Sequence, residues 1–489
     1  MFAALSTEIP VVYYICSCPV HEIVMGFVIS LKRGTFMPSL LIKNVDTLVT
    51  CDNQDAVLHN VNVYCEDGVI ADISANGHTA DEVLDATGHF MYPGLINTHH
   101  HLYQYFTRSI PNVQNMELFD WLKTLYEIWK GLDEETVYLS SLAGMGELMR
   151  YGCTTCLDHH YVFPKAAAGG LIDAQFAAAD ELKIRMHATR GSMSLSKKDG
   201  GLPPDSVVQD VDAILKDSTR LIEAYHDGGP FAMRQVALAP CSPFSVTEDL
   251  LRESANLARV YKVRLHTHLC ETKDEEAFMR ETRGMRPYEY MESVGWTGSD
   301  VWYAHGIYLN DTELERMAKS GTGVAHCPAS NMKLSSGVCR VPDMLRLGVP
   351  LGLAVDGSAS NDCSNLLAEI RTAYLLHRLT YGKEAPTGYD LLKIATRGSA
   401  QVLGRAKLGQ VAVGFGADAF LINKDRLDML GAELDPQNLF GTVGYYRPVD
   451  YTVVNGRIRV RDGELVGIDA ERVLERGRNN INKLLEAAT

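Results

Sequence analysis

The sequence predicts an α/β fold: a (β/α)8 barrel with a small β-sandwich domain formed from both ends of the chain. Three observations carry that prediction. Between residues 93 and 404, eight short apolar runs alternate with segments of helical period. Several of these runs stop at polar, metal-competent side chains, as in MYPGLINTHHH (91–101), VRLHTHLCET (263–272) and LGLAVDGSASND (351–362). Both ends of the chain carry strand-like alternation punctuated by DG and NG turns, in pieces too small to bury a core alone.

Taken in order, residues 1–36 are apolar, but no basic residue precedes Lys32, no small-residue cleavage site is evident, and His21 and Glu22 interrupt the run before spanning length. They are expected to be a disordered extension or to lie upstream of a true start at Met37, and not to anchor the chain in a membrane. Residues 37–92 and 405–470 are expected to pair into the composite β-domain, from segments such as VLHNVNVYCEDGVIADI and VDYTVVNGRIRVRDGELVGI. The barrel strands fall in GLINTHHH, GCTTCLDHH, RMHATRGSM, QVALAPCSP, VRLHTHLCE, VWYAHGIYL, GVAHCPASN and LGLAVDGS. Residues 471–489 read as a surface helix docking a few Leu and Ile.

Composition narrows the partners. With 46 basic against 61 acidic residues the formal charge is −15, and no basic stripe interleaved with aromatics occurs, so nucleic acid is repelled and a small neutral or weakly charged ligand is favoured. Eleven Cys, an odd number scattered through apolar runs, suit reduced thiols and a cytoplasmic location.

In His99-His100-His101 on a strand, side chains alternate faces, so His99 and His101 point together into the barrel mouth while His100 points away. Two imidazoles on one face form half a site for a borderline metal such as zinc; the pair alone also fits polar satisfaction at a strand end. The fifth strand repeats the pattern in His266-x-His268-x-x-Glu271. His268 is assigned to the metal because Glu271, three residues on, then reaches a ligand at an open position, and His266 is left to support it. Asp356 ends the apolar run LGLAV, where an unpaired carboxylate is costly without a cation; a helix-capping role remains open for it. Three His and one Asp leave a coordination place for water, whose pKa such a metal lowers. Glu271 is positioned for general acid/base duty. His305 ends the sixth strand, either to assist the nucleophile or as a satisfied core histidine. The fourth strand ends without a Lys that could bridge a second ion, so one divalent ion is expected. Cys153-x-x-Cys156 lacks a second such pair and reads as buried strand.

These residues resemble the amidohydrolase superfamily, in its branch of guanine, cytosine, S-adenosylhomocysteine and s-triazine deaminases and chlorohydrolases. PGLINTHHH is similar to the family's opening PG-x-x-N-x-H-x-H, HTHLCET to its H-x-x-E element, HCPASNMKLSSG to its P-x-SN-x-KL-x-SG, and GLAVDGSASND to its Asp segment. The likeness runs from Leu40 to Ile468. It implies His99, His101, His268 and Asp356 as ligands of one Zn2+, or Fe2+, with Glu271 as proton shuttle and His305 hydrogen-bonding the nucleophile. Asp356 would also take the proton of the attacking water. A homodimer or higher homo-oligomer is implied as well.

Within the branch, HHHLYQ, DHHYVFP, TRGSMSLS with GGLPPD, LAPCSPFSVT and DGSASNDCSNLLAE look most like the members that deaminate 8-oxoguanine to uric acid. Other amino-heterocycles, namely an s-triazine such as hydroxyatrazine, isoxanthopterin, guanine or isocytosine, are the alternatives, as is chlorohydrolysis, which Glu271 disfavours. A catalytically inactive barrel acting as a binding protein would have lost ligands, whereas every motif position is filled. For recognition, Gln104 is expected to pair with an amide-like ring edge and Arg190 to donate a fork to carbonyl oxygens. Trp121 either closes over the base as a lid or packs as one face of an amphipathic helix. Asn331 and Lys333 are expected to brace the loop after the seventh strand.

Overall fold

The computed structural model describes residues 38–165, 167 and 169–486; the extension expected over 1–36 lies outside them. The β unit does form from both ends, as one continuous hydrogen-bonded path of strands rather than two separate sheets. The joint is His89–Pro93, which runs parallel to Leu40–Val49 on one side and antiparallel to Ala419–Asn423 on the other. Ile42, Val45, Leu48, Val63 and Ile70 from the first end share a core with Leu421, Val453 and Ile458 from the second. The turn signals act as their chemistry requires: Asp67-Gly68, Asn455-Gly456 and Asp462-Gly463 all have positive φ, the paired left-handed conformation of a two-residue hairpin.

The barrel strands are Leu95–Asn97, Cys153–Asp158, Arg185–Ser192, Arg234–Pro240, Arg264–Leu269, Val301–His305, Gly323–His326 and Leu351–Leu353, parallel and in sequence order. Alternate side chains fill the interior, among them Ile96, Leu157, Ala237, Trp302, Ala325 and Ala354. The opposite faces pack under the helices in one large apolar cluster. Several of those helices begin at side-chain caps, as where Asp133 accepts the Thr136 N–H, Thr272 the Glu275 N–H and Asn310 the Glu313 N–H. Arg185, at the base of the third strand, makes a buried bidentate pair with Asp418 and so ties the barrel to the β unit.

The first and eighth strands close the ring through their extensions. Thr98 donates its N–H and its hydroxyl to the Leu353 carbonyl (3.3 and 2.9 Å), and Val355 N–H donates to Asn97 Oδ1 (3.0 Å). Beyond that, Asp356–Gly357 pairs parallel with His100–His101, with Asp356 N–H on His99 O at 3.1 Å. The last helix, Ala470–Glu486, packs on Glu134–Arg150 and buries Leu484. Among the described residues no helix is long and apolar enough to cross a membrane.

Candidate metal centre and active site

The closing seam carries the site. The first strand stops at Asn97 and resumes at His100, and beyond the break His99 and His101 meet, with ring centroids 4.6 Å apart, while His100 faces the other way onto Ser364 Oγ (2.9 Å).

Main-chain carbonyls fix the tautomer of each inward imidazole. The Trp302 carbonyl lies 3.0 Å from His266 Nδ1, which must therefore carry the proton and leave Nε2 as an acceptor. His99 Nδ1, 2.7 Å from that Nε2, is in turn the donor, so His99 Nε2 is bare. His101 Nδ1 donates to His159 O (2.7 Å) and His268 Nδ1 to Cys241 O (2.6 Å), which bares both of their Nε2 atoms. Burial holds His99 and His268 well below the usual imidazole range and lowers His101 too, so all three rings are neutral.

Three lone pairs and a carboxylate therefore face one another with no proton between them. His101 Nε2 is 3.1 Å from His268 Nε2, and Asp356 Oδ1 is 3.2 and 3.3 Å from the Nε2 atoms of His99 and His101. His99 Nε2 has no hydrogen-bond partner although fully buried. Such an assembly is repulsive unless a cation sits within it, and donors about 3.3 Å apart are what tetrahedral coordination at about 2.0–2.1 Å requires. The residues present thus fit a divalent metal.

Glu271 stands beside this cluster. Its Oε2 is 3.5 Å from His305 Nε2, and its Oε1 accepts from Ser336 Oγ at 3.4 Å. Burial raises its pKa, which suits a group that carries a proton to substrate. Glu275 clamps the turn that bears it, accepting the N–H of Cys270 (3.0 Å) and of Glu271 (2.8 Å). His305 Nδ1 is 2.8 Å from Asn331 Oδ1, and its Nε2 lies 3.9 Å from Asp356 Oδ2. Burial opposes its protonation, but the Glu271 and Asp356 carboxylates win and its pKa is raised. His305 and Asp356 both take left-handed backbone conformations (φ 73° and 64°), costly for residues with a Cβ and held by the surrounding packing. A small cavity opens over the cluster, with walls that include Leu118, Trp121, Leu122, Tyr161, Phe244 and Leu334.

The Amidohydrolase family profile matches residues 90–459. The chain is 45% identical over 91% of its length to 8-oxoguanine deaminase of Pseudomonas aeruginosa, 98% of which is covered. It is 39% identical over 88% of its length to hydroxydechloroatrazine ethylaminohydrolase of a Pseudomonas species, 93% of which is covered. An atrazine chlorohydrolase from Arthrobacter aurescens, solved with zinc, superposes with a TM-score of 0.88 at 32% identity, covering 90% of this chain and all of that one. The chain belongs to the amidohydrolase family. It is accordingly a metal-dependent hydrolase, related to enzymes that act on carbon–nitrogen bonds.

In this amidohydrolase the structure brings together His99, His101, His268, Asp356, Glu271 and His305, and it places Gln104 and Trp121 in the cavity wall. Gln104 is oriented by Ala359 N–H on its Oε1 (3.3 Å). Trp121 sits on the buried face of the helix Leu118–Trp129, and that face lines the cavity. Arg190 is not in the wall. Its guanidinium is taken up by Asp217, Gln209 and the Gly191 carbonyl and lies 3.7 Å over the Phe163 ring. Asn331 holds His305, while Lys333 bonds Ala359 O and Asp362. Cys153 and Cys156 are buried in the second strand as free thiols.

Several contributors carried no readable signal. His159 and Cys241 act through backbone oxygen, which any residue supplies. Asp158, whose carboxylate accepts the Leu102 N–H just after His101 (2.6 Å), has nothing in its local sequence that marks this role.

Proposed function

We propose that this amidohydrolase hydrolytically deaminates a free oxopurine base, 8-oxoguanine to uric acid and ammonia, at a single zinc ion held by His99, His101, His268 and Asp356. The observation that carries the chemistry is the convergence of three deprotonated ring nitrogens and a carboxylate beside a protonatable, buried Glu271. The 45% identical 8-oxoguanine deaminase, matched along nearly its whole length, carries the substrate.

When bound, the ion supplies a Lewis acid that makes an adjacent water nucleophilic near neutral pH. Zinc suits a neutral imidazole and carboxylate set, and ferrous iron is another ion such donors accept. Asp356 takes the proton of the attacking water as it adds to the carbon bearing the amine, and His305 orients the oxygen. Glu271 delivers a proton to the neighbouring ring nitrogen; Asp356 then passes the water's proton to the amine, and the tetrahedral adduct collapses with loss of ammonia as its hydroxyl proton returns to Glu271 and the new carbonyl forms. Gln104 reads the ring edge, and Leu118, Leu122 and Phe244 supply apolar contact to a flat base.

The protein works in the cytoplasm, in keeping with its free thiols, and without nucleic acid or membrane. It assembles as a homodimer or larger homo-oligomer, in keeping with the exposed Leu427, Leu430, Leu434 and Tyr446. The triazine relative supports a second reading, an aminohydrolase of another amino-heterocycle.

The test is ammonia release from 8-oxoguanine, guanine, isoxanthopterin, isocytosine and hydroxyatrazine. The highest kcat/KM is expected on 8-oxoguanine. Turnover confined to a triazine selects the second reading, and chloride release from a chlorotriazine in place of any ammonia overturns both.

A further inference from the structure

One donor in the cavity wall has no acceptor. Trp121 is 3% exposed, and no hydrogen-bond partner reaches its Nε1. The neighbouring indole on the same helix shows the usual arrangement, with Trp129 Nε1 donating to Thr107 Oγ1 at 3.1 Å. The Trp121 ring is held against the Trp129 ring at 5.5 Å and 73°, among Leu118 and Leu122, so the apolar wall offers this N–H no partner. A desolvated donor left unpaired is costly, and a ligand in the adjoining cavity relieves that cost by supplying the acceptor.

The cavity wall limits what that acceptor can be. No Lys or Arg is among its residues, so away from the metal cluster and His305 an anionic phosphate or carboxylate at Trp121 would meet no countercharge. A neutral carbonyl oxygen on the heterocycle fits. We propose that Trp121 Nε1–H donates to the exocyclic oxygen that 8-oxoguanine carries and guanine lacks, on a ring carbon remote from the one that loses its amine, so that the pocket selects amino-heterocycles bearing this added oxygen over counterparts without it. This rests on the deaminase reading above and adds the group by which the substrate is chosen.

The experiment compares two pairs differing by that oxygen, 8-oxoguanine with guanine and isoxanthopterin with pterin, on the metal-loaded enzyme and on Trp121→Phe. The parent is expected to prefer the oxo member of the pair it processes by about 10- to 100-fold in kcat/KM. Trp121→Phe should bring the two members within about threefold, through loss on the oxo member and with metal content unchanged. An undiminished preference in Trp121→Phe, equal losses on both members, or a parent that does not discriminate overturns the proposal. A parent that releases ammonia from none of the four overturns the purine and pterin reading and this inference with it. Should Trp121→Phe fail to fold, calorimetry on Glu271→Gln, which holds substrate without turning it over, decides: 8-oxoguanine is expected to bind at least about tenfold more tightly than guanine, and equal affinities overturn the proposal.

Discussion

His266 Nε2 lies 2.7 Å from His99 Nδ1, and the Trp302 carbonyl behind His266 dictates which of the two carries the shared proton. His266 thus acts on the metal site without touching the ion. His266→Phe keeps a ring to stack on Trp302, where the native centroids are 4.5 Å apart, but removes the acceptor. Metal affinity should fall by about 10- to 100-fold, read by equilibrium dialysis against a graded chelator. Unchanged affinity would mean that the tautomer relay has no role in holding the ion.

Glu271→Gln keeps the shape of the side chain and abolishes its proton transfer. Ammonia release should drop by at least about 100-fold while metal content, measured by elemental analysis, holds. Surviving turnover would assign the shuttle to another group.

Glu275 touches no reacting atom and is a positioning residue. It holds the N–H groups of Cys270 and Glu271, and Cys270 itself has a strained φ of 55°. Glu275→Ala frees that turn. The expected result is a fall of about 10- to 100-fold in kcat with KM and metal content unchanged. A loss confined to thermal stability would reduce Glu275 to a packing role.

Asp158 links the site to pH. Burial raises its carboxyl from 3.8 to about 7. Between those values the folded chain keeps a proton that the unfolded chain has released, so stability is greatest below about 4 and declines as pH rises towards 7. Asp158→Asn removes that decline. Its amide still accepts the Leu102 N–H, and it can donate to Gln175 Oε1, which has no partner, once that side chain flips. Thermal melts at pH 5 and pH 8 should show a smaller fall in Tm for the variant than for the parent. Parallel falls would place the pH dependence elsewhere.

Much of this architecture was legible because it depends on periodicity and on turn chemistry. Alternation alone pairs His99 with His101 and sends His100 to Ser364, although the break at Thr98 shifts its phase, since Ile96 also faces the barrel interior. Asp67-Gly68 and Asn455-Gly456 announce their hairpins because few other residues accept those dihedrals. Alternation does not say whether strands from two chain ends make one sheet or two, since His89–Pro93 could have ended a sheet instead of bridging it. Arg190 was misjudged for a related reason: the partners that occupy it, Asp217 and Gln209, lie on a later segment whose approach no local pattern reports. The carbonyls of His159, Cys241 and Trp302 are unreadable in principle, because a main-chain oxygen has no letter.

The seam between Asp356–Gly357 and His100–His101 has a consequence for biosynthesis. Thr98 waits for a carbonyl 255 positions downstream, so the ring cannot shut until nearly the entire barrel has left the ribosome. A nascent or truncated chain owns at most a fraction of the donor set, and ion capture becomes a final, chain-length-dependent event that distinguishes finished molecules from fragments.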